Sequence, residues 1–291
     1  MSNRFLALGI VLIAAGMFSA PARARQGGAQ SWQPTPVYDK KGENSAPAPT
    51  RDISGVWVPA QGAQAGIQAN GAAAMPSDGK PEHELPYTPL GRQTLQQHKP
   101  VGGVTKVSAR LSNDPVPGCD PQGFPRVVLD NFRASRIIQT PDRVVILYDE
   151  NNKWRMIWMD GRKLPDLKDN PEPAFWGYSV GKWTDDHTFV VESNGFDETS
   201  WLDHAGRPHS DALHVTEEYK RTDQDHLVLT VTIDDPKMYT KPWVALKLPL
   251  RLQAPGFTLE ERQCSMAEYN KFEGTAVPRT NRPAAPPPAQ Q

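Results

Sequence analysis

The chain has 291 residues, with 32 Lys and Arg against 33 Asp and Glu and a net charge of -1 at pH 7. Its cations form no basic stripe, which excludes a surface built to track a phosphate backbone, and nucleic acid is not an expected partner. Twenty-nine prolines are about double ordinary usage, and they gather in stretches that cannot build a core.

Residues 1–24 read as a signal peptide. The lone cation Arg4 precedes the apolar run Phe5 to Phe18, and Ala22-Arg23-Ala24 supplies the small-x-small cleavage pattern. That run is too short for a stable membrane anchor, and no later segment approaches transmembrane length, so the expected localisation is periplasmic or secreted. Residues 25–51, about 60–82 and 273–291 bury too little apolar surface to offset chain entropy. They are expected as a flexible N-terminal segment, a low-complexity insertion and a disordered Pro/Ala-rich tail around a single β domain, 52–272.

Within that domain "PLGRQTLQQHK", 89–99, is the one clearly helical stretch, and elsewhere the apolar period is two. Runs at 143–148 and 154–159 join through Asp149 to Lys153 as a hairpin. "GYSVGKWTDDHTFVVESNGF" makes a second, turning at Thr184 to His187, and "LHVTEEYKRTDQDHLVLTVTIDD" a third, turning at Thr222 to Asp225. Extended runs at 243–252 and 256–264 follow. Successive hairpins predict an antiparallel meander of about eight to ten strands, mainly β, closing into a lipocalin-like barrel that holds one small ligand. A β-sandwich is the alternative.

Cys119 and Cys264 are the only cysteines, so an exported chain offers one disulfide. Neither has a neighbouring histidine to make a reactive thiol, and no cysteine-based zinc motif is present.

The stretch "WLDHAGRPHSDALHVTEEYKR", 201–221, sets His204, His209 and His214 at five-residue intervals. On a strand that spacing alternates faces, so no metal is expected, although loop histidines keep a metal-dependent enzyme as a second alternative. His209 and Asp211 are the candidate acid–base pair, with Asp211 orienting the imidazole and Glu217 or Tyr239 as catalytic partner. Ser210 lacks the Gly-x-Ser-x-Gly elbow of a serine hydrolase. From Leu213 onward, alternation turns Val215, Glu217, Tyr219 and Arg221 inward. Glu217 and Arg221 then need partners, either each other or Arg155 or Asp160 on another strand. Trp176, Tyr178, Trp201 and Trp243, with Arg221, are the candidate ligand-binding residues, because aromatics with a few polar groups make small-molecule pockets.

The ordered set "DISGVW", "CDPQGFPR", "WRMIWMDGRKLP", "GYSVGKW", "TFVVESNGFDETSWLD", "GRPHSDALHVTEEYKR" and "TIDDPKMYTKPW" resembles a large uncharacterised family of exported bacterial proteins. The likeness covers about 52 to 265. Glu218 stands where that family commonly has arginine, and Lys220 where arginine is frequent, so no continuous basic cluster is expected there. The resemblance implies an exported β protein and carries no activity with it; the lipocalin-like barrel is an analogy of fold.

The leading functional reading is an exported binding protein for a small apolar or aromatic molecule in a barrel pocket, without a cofactor or stable membrane anchor. The alternative is a cofactor-free lyase, isomerase or hydrolase built on His209 and Asp211.

Overall fold

The computed structural model describes residues 45–60, 81, 84–130, 132–150, 153–169, 171–261 and 263–267. The chain divides into two units, 1–33 and 34–291, and the first lies outside the described residues. So do the expected signal peptide, most of the N-terminal segment and insertion, and the Pro/Ala-rich tail.

Nine strands close into a barrel in chain order. They are β1 (Gly55–Pro59), β2 (Ser135–Gln139), β3 (Arg143–Tyr148), β4 (Trp154–Trp158), β5 (Tyr178–Trp183), β6 (Thr188–Asn194), β7 (His214–Arg221), β8 (His226–Asp234) and β9 (Trp243–Leu252). Among the described residues two α-helices accompany them, α1 (Pro89–Gln97) and α2 (Arg126–Leu129). Helix α1 starts where Thr88 accepts a hydrogen bond from the Gly91 N–H and proline occupies the first turn, a start signal that matches the sequence reading. The three expected hairpins form as β3–β4, β5–β6 and β7–β8.

Two features depart from the meander. The described residues of 256–264 form no strand, and β9 returns instead to β1, so the barrel closes through a first strand that periodicity alone did not single out. Strands β4 and β5 run parallel and meet at a single pair, Trp158 with Val180. All other neighbours are antiparallel with longer ladders. The wall is therefore continuous except at one thin seam.

The centre is packed. Side chains of β7 and β8 alternate strictly, and Trp57, Val144, Ile157, Phe189, Val191, Val215, Val231 and Ile233 are 0% exposed. A residue beside a water-sized void would show accessible area, so these values leave no axial pocket at their level. A barrel of this size is just wide enough for side chains to fill it, which replaces the expected axial ligand cavity with a core. Fit is close: a Cβ on Gly181 would sit 2.3 Å from the Phe189 ring. Near β9 the register shifts at Val231/Thr232, and Ala245 and Leu246 both turn inward at this bulge.

Phe124, Phe132 and the three aliphatics of α2 join the same core and pack against the barrel end where β3 passes to β4. A disulfide between Cys119 and Cys264 fastens the chain before this segment to the chain after β9.

Candidate functional site

The seam has chemistry beneath it. Arg155, the second residue of β4, points inward and is 2% exposed. Its Nη2 donates to Glu217 Oε2 at 2.5 Å and Ser193 Oγ at 2.9 Å, and its Nε donates to Ser179 Oγ at 3.0 Å. Tyr219 donates to the other Glu217 oxygen at 2.7 Å. The guanidinium carbon lies 3.6 Å from the centre of the Phe124 ring, a cation–π contact in a desolvated place. Burial opposes the Arg155 charge, but the Glu217 carboxylate outweighs it and holds its pKa above the ordinary value. Two buried atoms of this cluster, Arg155 Nη1 and the Tyr148 hydroxyl, make no hydrogen bond of good geometry, although their side chains interact with each other. Burial pushes the Tyr148 pKa up, so the hydroxyl stays neutral.

Above the seam lies a cleft of about 710 Å³. Its walls are the outward side chains of β4 (Trp154, Met156, Trp158), the start of β5 (Tyr178, Val180), and the connection between them, including Leu164, Pro165 and Trp176; Arg155 and Ser179 also line it. Trp176 stacks on Tyr148, with centroids 5.5 Å apart and planes at 25°. Gly177 follows at φ +59°, where a Cβ would meet Phe196 at 2.5 Å and the Asn194 carbonyl at 2.7 Å, so the turn that presents Trp176 requires glycine. Trp158 carries Arg162 on its ring at 3.6 Å and Arg143 at 4.5 Å. Tyr178 is fixed by its hydroxyl, which donates to the Glu172 carbonyl at 2.9 Å. The lining includes four cations, Lys153, Arg155, Arg162 and Lys163, and no carboxylate. A second cleft of about 490 Å³, beside β1, β2 and the chain after β9, has no aromatic ring in its lining.

The sequence-derived candidates scatter over the molecule. Trp176 and Tyr178 meet in the cleft, and Glu217 lies beneath it through Arg155. Trp201, Trp243 and Arg221 line neither cleft. Trp201 is buried and stacks on His98 at 4.3 Å. Trp243 packs edge-on against Tyr239 at 5.2 Å, and the Tyr239 hydroxyl donates to the Pro208 carbonyl at 2.8 Å, bracing the 201–213 loop. Arg221 donates to the carbonyls of Asp52 (2.8 Å) and Gln224 (2.7 Å), tying β7 to the chain entering β1.

His209 and Asp211 do not work as a pair. Asp211 is exposed and ion-paired with Lys237. His209 is buried, with Nε2 3.0 Å from Ser200 Oγ and Nδ1 3.4 Å from the Ser210 carbonyl, and burial lowers its pKa. The carboxylate that organises this turn is Asp235, which accepts from the Ser210 N–H at 2.6 Å and hydroxyl at 2.8 Å. His204 reaches Asp130 at 2.5 Å, and Asp130 lies 3.6 Å from Arg126, itself held by both oxygens of Asp114. Among the described residues no three His, Cys, Asp or Glu side chains are grouped to hold a metal ion.

Trp154, Met156, Trp158, Lys153 and Lys163 were missed as site residues. The signal lay in "WRMIW", which sets three large apolar side chains on the face opposite Arg155 and so leaves apolar surface outside the barrel. Comparison with protein-family models, curated proteins and solved structures returned no match.

Proposed function

We propose that this chain is an exported binding protein for a small aromatic molecule, taken up in the cleft between β4 and β5 and not along the barrel axis. The observation that carries the reading is the cleft itself: about 710 Å³ walled by Trp154, Trp158, Trp176 and Tyr178. That volume suits a compound of drug-like size, and ring-on-ring contacts add about 0.5–1.5 kcal/mol each beyond buried area. Trp158 and Tyr178 are held in place by the cations stacked on the first and by the Glu172 carbonyl at the second, so little ordering entropy at these two rings opposes binding. Export is supported by the Cys119–Cys264 disulfide, since such bonds persist in oxidising compartments. No helix among the described residues is long and apolar enough to cross a membrane.

The enzymatic alternative has one supporting contact, Ser200 with His209, but both residues are 4% exposed and neither lines the β4–β5 cleft. Titration with aromatic compounds, followed by tryptophan fluorescence and calorimetry, tests the binding reading. Trp176→Ala is expected to weaken binding about tenfold, or ~1.4 kcal/mol. Trp154→Ala, at a side chain 58% exposed, gives a similar loss without disturbing the fold. Unchanged affinity in both variants contradicts the reading.

A further inference from the structure

We infer that the ligand of this cleft is an aromatic carboxylate whose far end carries a hydrogen-bond acceptor. The inference rests on the cleft being the binding site and adds the chemical class of what enters it.

Charge gives the first half. Of the four cations in the lining, Arg155 is neutralised by Glu217 and Arg162 by Asp160. Lys153 and Lys163 are exposed and have no ion-pair partner among the described residues. With no carboxylate in the lining, the rim carries two uncompensated positive charges above aromatic walls, which is complementary to an anion with a planar body.

The buried end gives the second half. Arg155 Nη1 and the Tyr148 hydroxyl are both inaccessible, and neither makes a hydrogen bond of good geometry, although they interact with each other, in a cluster where every other guanidinium nitrogen is bonded. Buried polar groups are rarely left unpaired, and those that are commonly await a ligand atom or water. Trp176 covers Tyr148 and lines the cleft, so a ligand group reaches this pair when the indole shifts aside. A phenolic or carbonyl oxygen accepts from Nη1 there, while the carboxylate stays between the lysines.

The test changes the ligand, because altering Arg155 would strand Glu217. Cinnamate, 4-hydroxycinnamate and the neutral 4-hydroxycinnamamide are titrated calorimetrically into the purified protein and into a Lys153→Gln/Lys163→Gln double variant. The hydroxylated acid is expected to bind roughly tenfold more tightly than the amide, with the gap closing in the double variant and at about 0.5 M salt. It is also expected to bind roughly tenfold more tightly than cinnamate, with a change in tryptophan fluorescence. Equal binding of acid and amide overturns the anion, and equal binding of the two acids overturns the inner acceptor. Failure of all three compounds to bind overturns the cleft as a ligand site altogether.

Discussion

At the scale of residues, the inward charge pair Arg155–Glu217 shows how far alternation carries an argument. Once β7 was a strand, Glu217 faced a core, and a carboxylate among Val215, Tyr219 and Val231 demanded a cation; Arg155 was among the partners the sequence suggested, and the structure bonds the two at 2.5 Å. Breaking such a pair leaves an uncompensated buried charge. Arg155→Met is expected to cost about 3–5 kcal/mol in urea unfolding, and adding Glu217→Leu should restore much of it. A loss under 1 kcal/mol in the single variant would contradict the assigned pairing. The histidines were less legible, because a loop gives no periodicity from which to read direction: Asp211 turns to Lys237, the His209 ring meets Ser200, and Asp235, distant in sequence, holds the Ser210 turn.

Their environments do fix opposite pH dependences. Burial holds His209 below its ordinary value of 6.5, so as pH falls the unfolded chain takes up the proton first, and stability present above about 6.5 is lost below it. The hydrogen bond to Asp130 raises the pKa of His204, whose contribution is full below about 6.5 and fades as pH rises through the raised value. Melting temperatures from pH 8 down to 5 should therefore fall less steeply on the acid side in His209→Gln. An unchanged acid limb would show that this imidazole is not held neutral by the fold.

At the scale of elements, the three hairpins were readable because each combines period-two runs with turn residues of its own. The seam was not, since it depends on which strands become neighbours after a long connection, and a parallel pair leaves no local signal. The same holds for β1, a short run whose partners, β2 and β9, lie far along the chain. The disulfide was readable by count alone. It closes a separation of 145 residues, for which chain entropy gives about 5 kcal/mol and practice commonly 2–5. Cys119→Ser/Cys264→Ser should lower the urea midpoint accordingly, and reductant should then have no further effect. A midpoint unchanged in the double variant would mean that the connected segments contribute nothing to the cooperative fold.

At the scale of the whole molecule, closure and filling go together. Nine strands whose inward side chains are mostly large and apolar leave a packed centre, so the proposed binding site lies in the wall, where β4 and β5 share one pair and the outward face of β4 is apolar. The barrel serves as a rigid frame for that opening, with the Arg155 cluster as its floor. Hydrogen–deuterium exchange with and without 4-hydroxycinnamate tests this most directly. The account predicts that ligand slows exchange at 153–158 and 176–180 while leaving β8 and β9 unchanged. Protection concentrated on β8 and β9, with none along the seam, would contradict it.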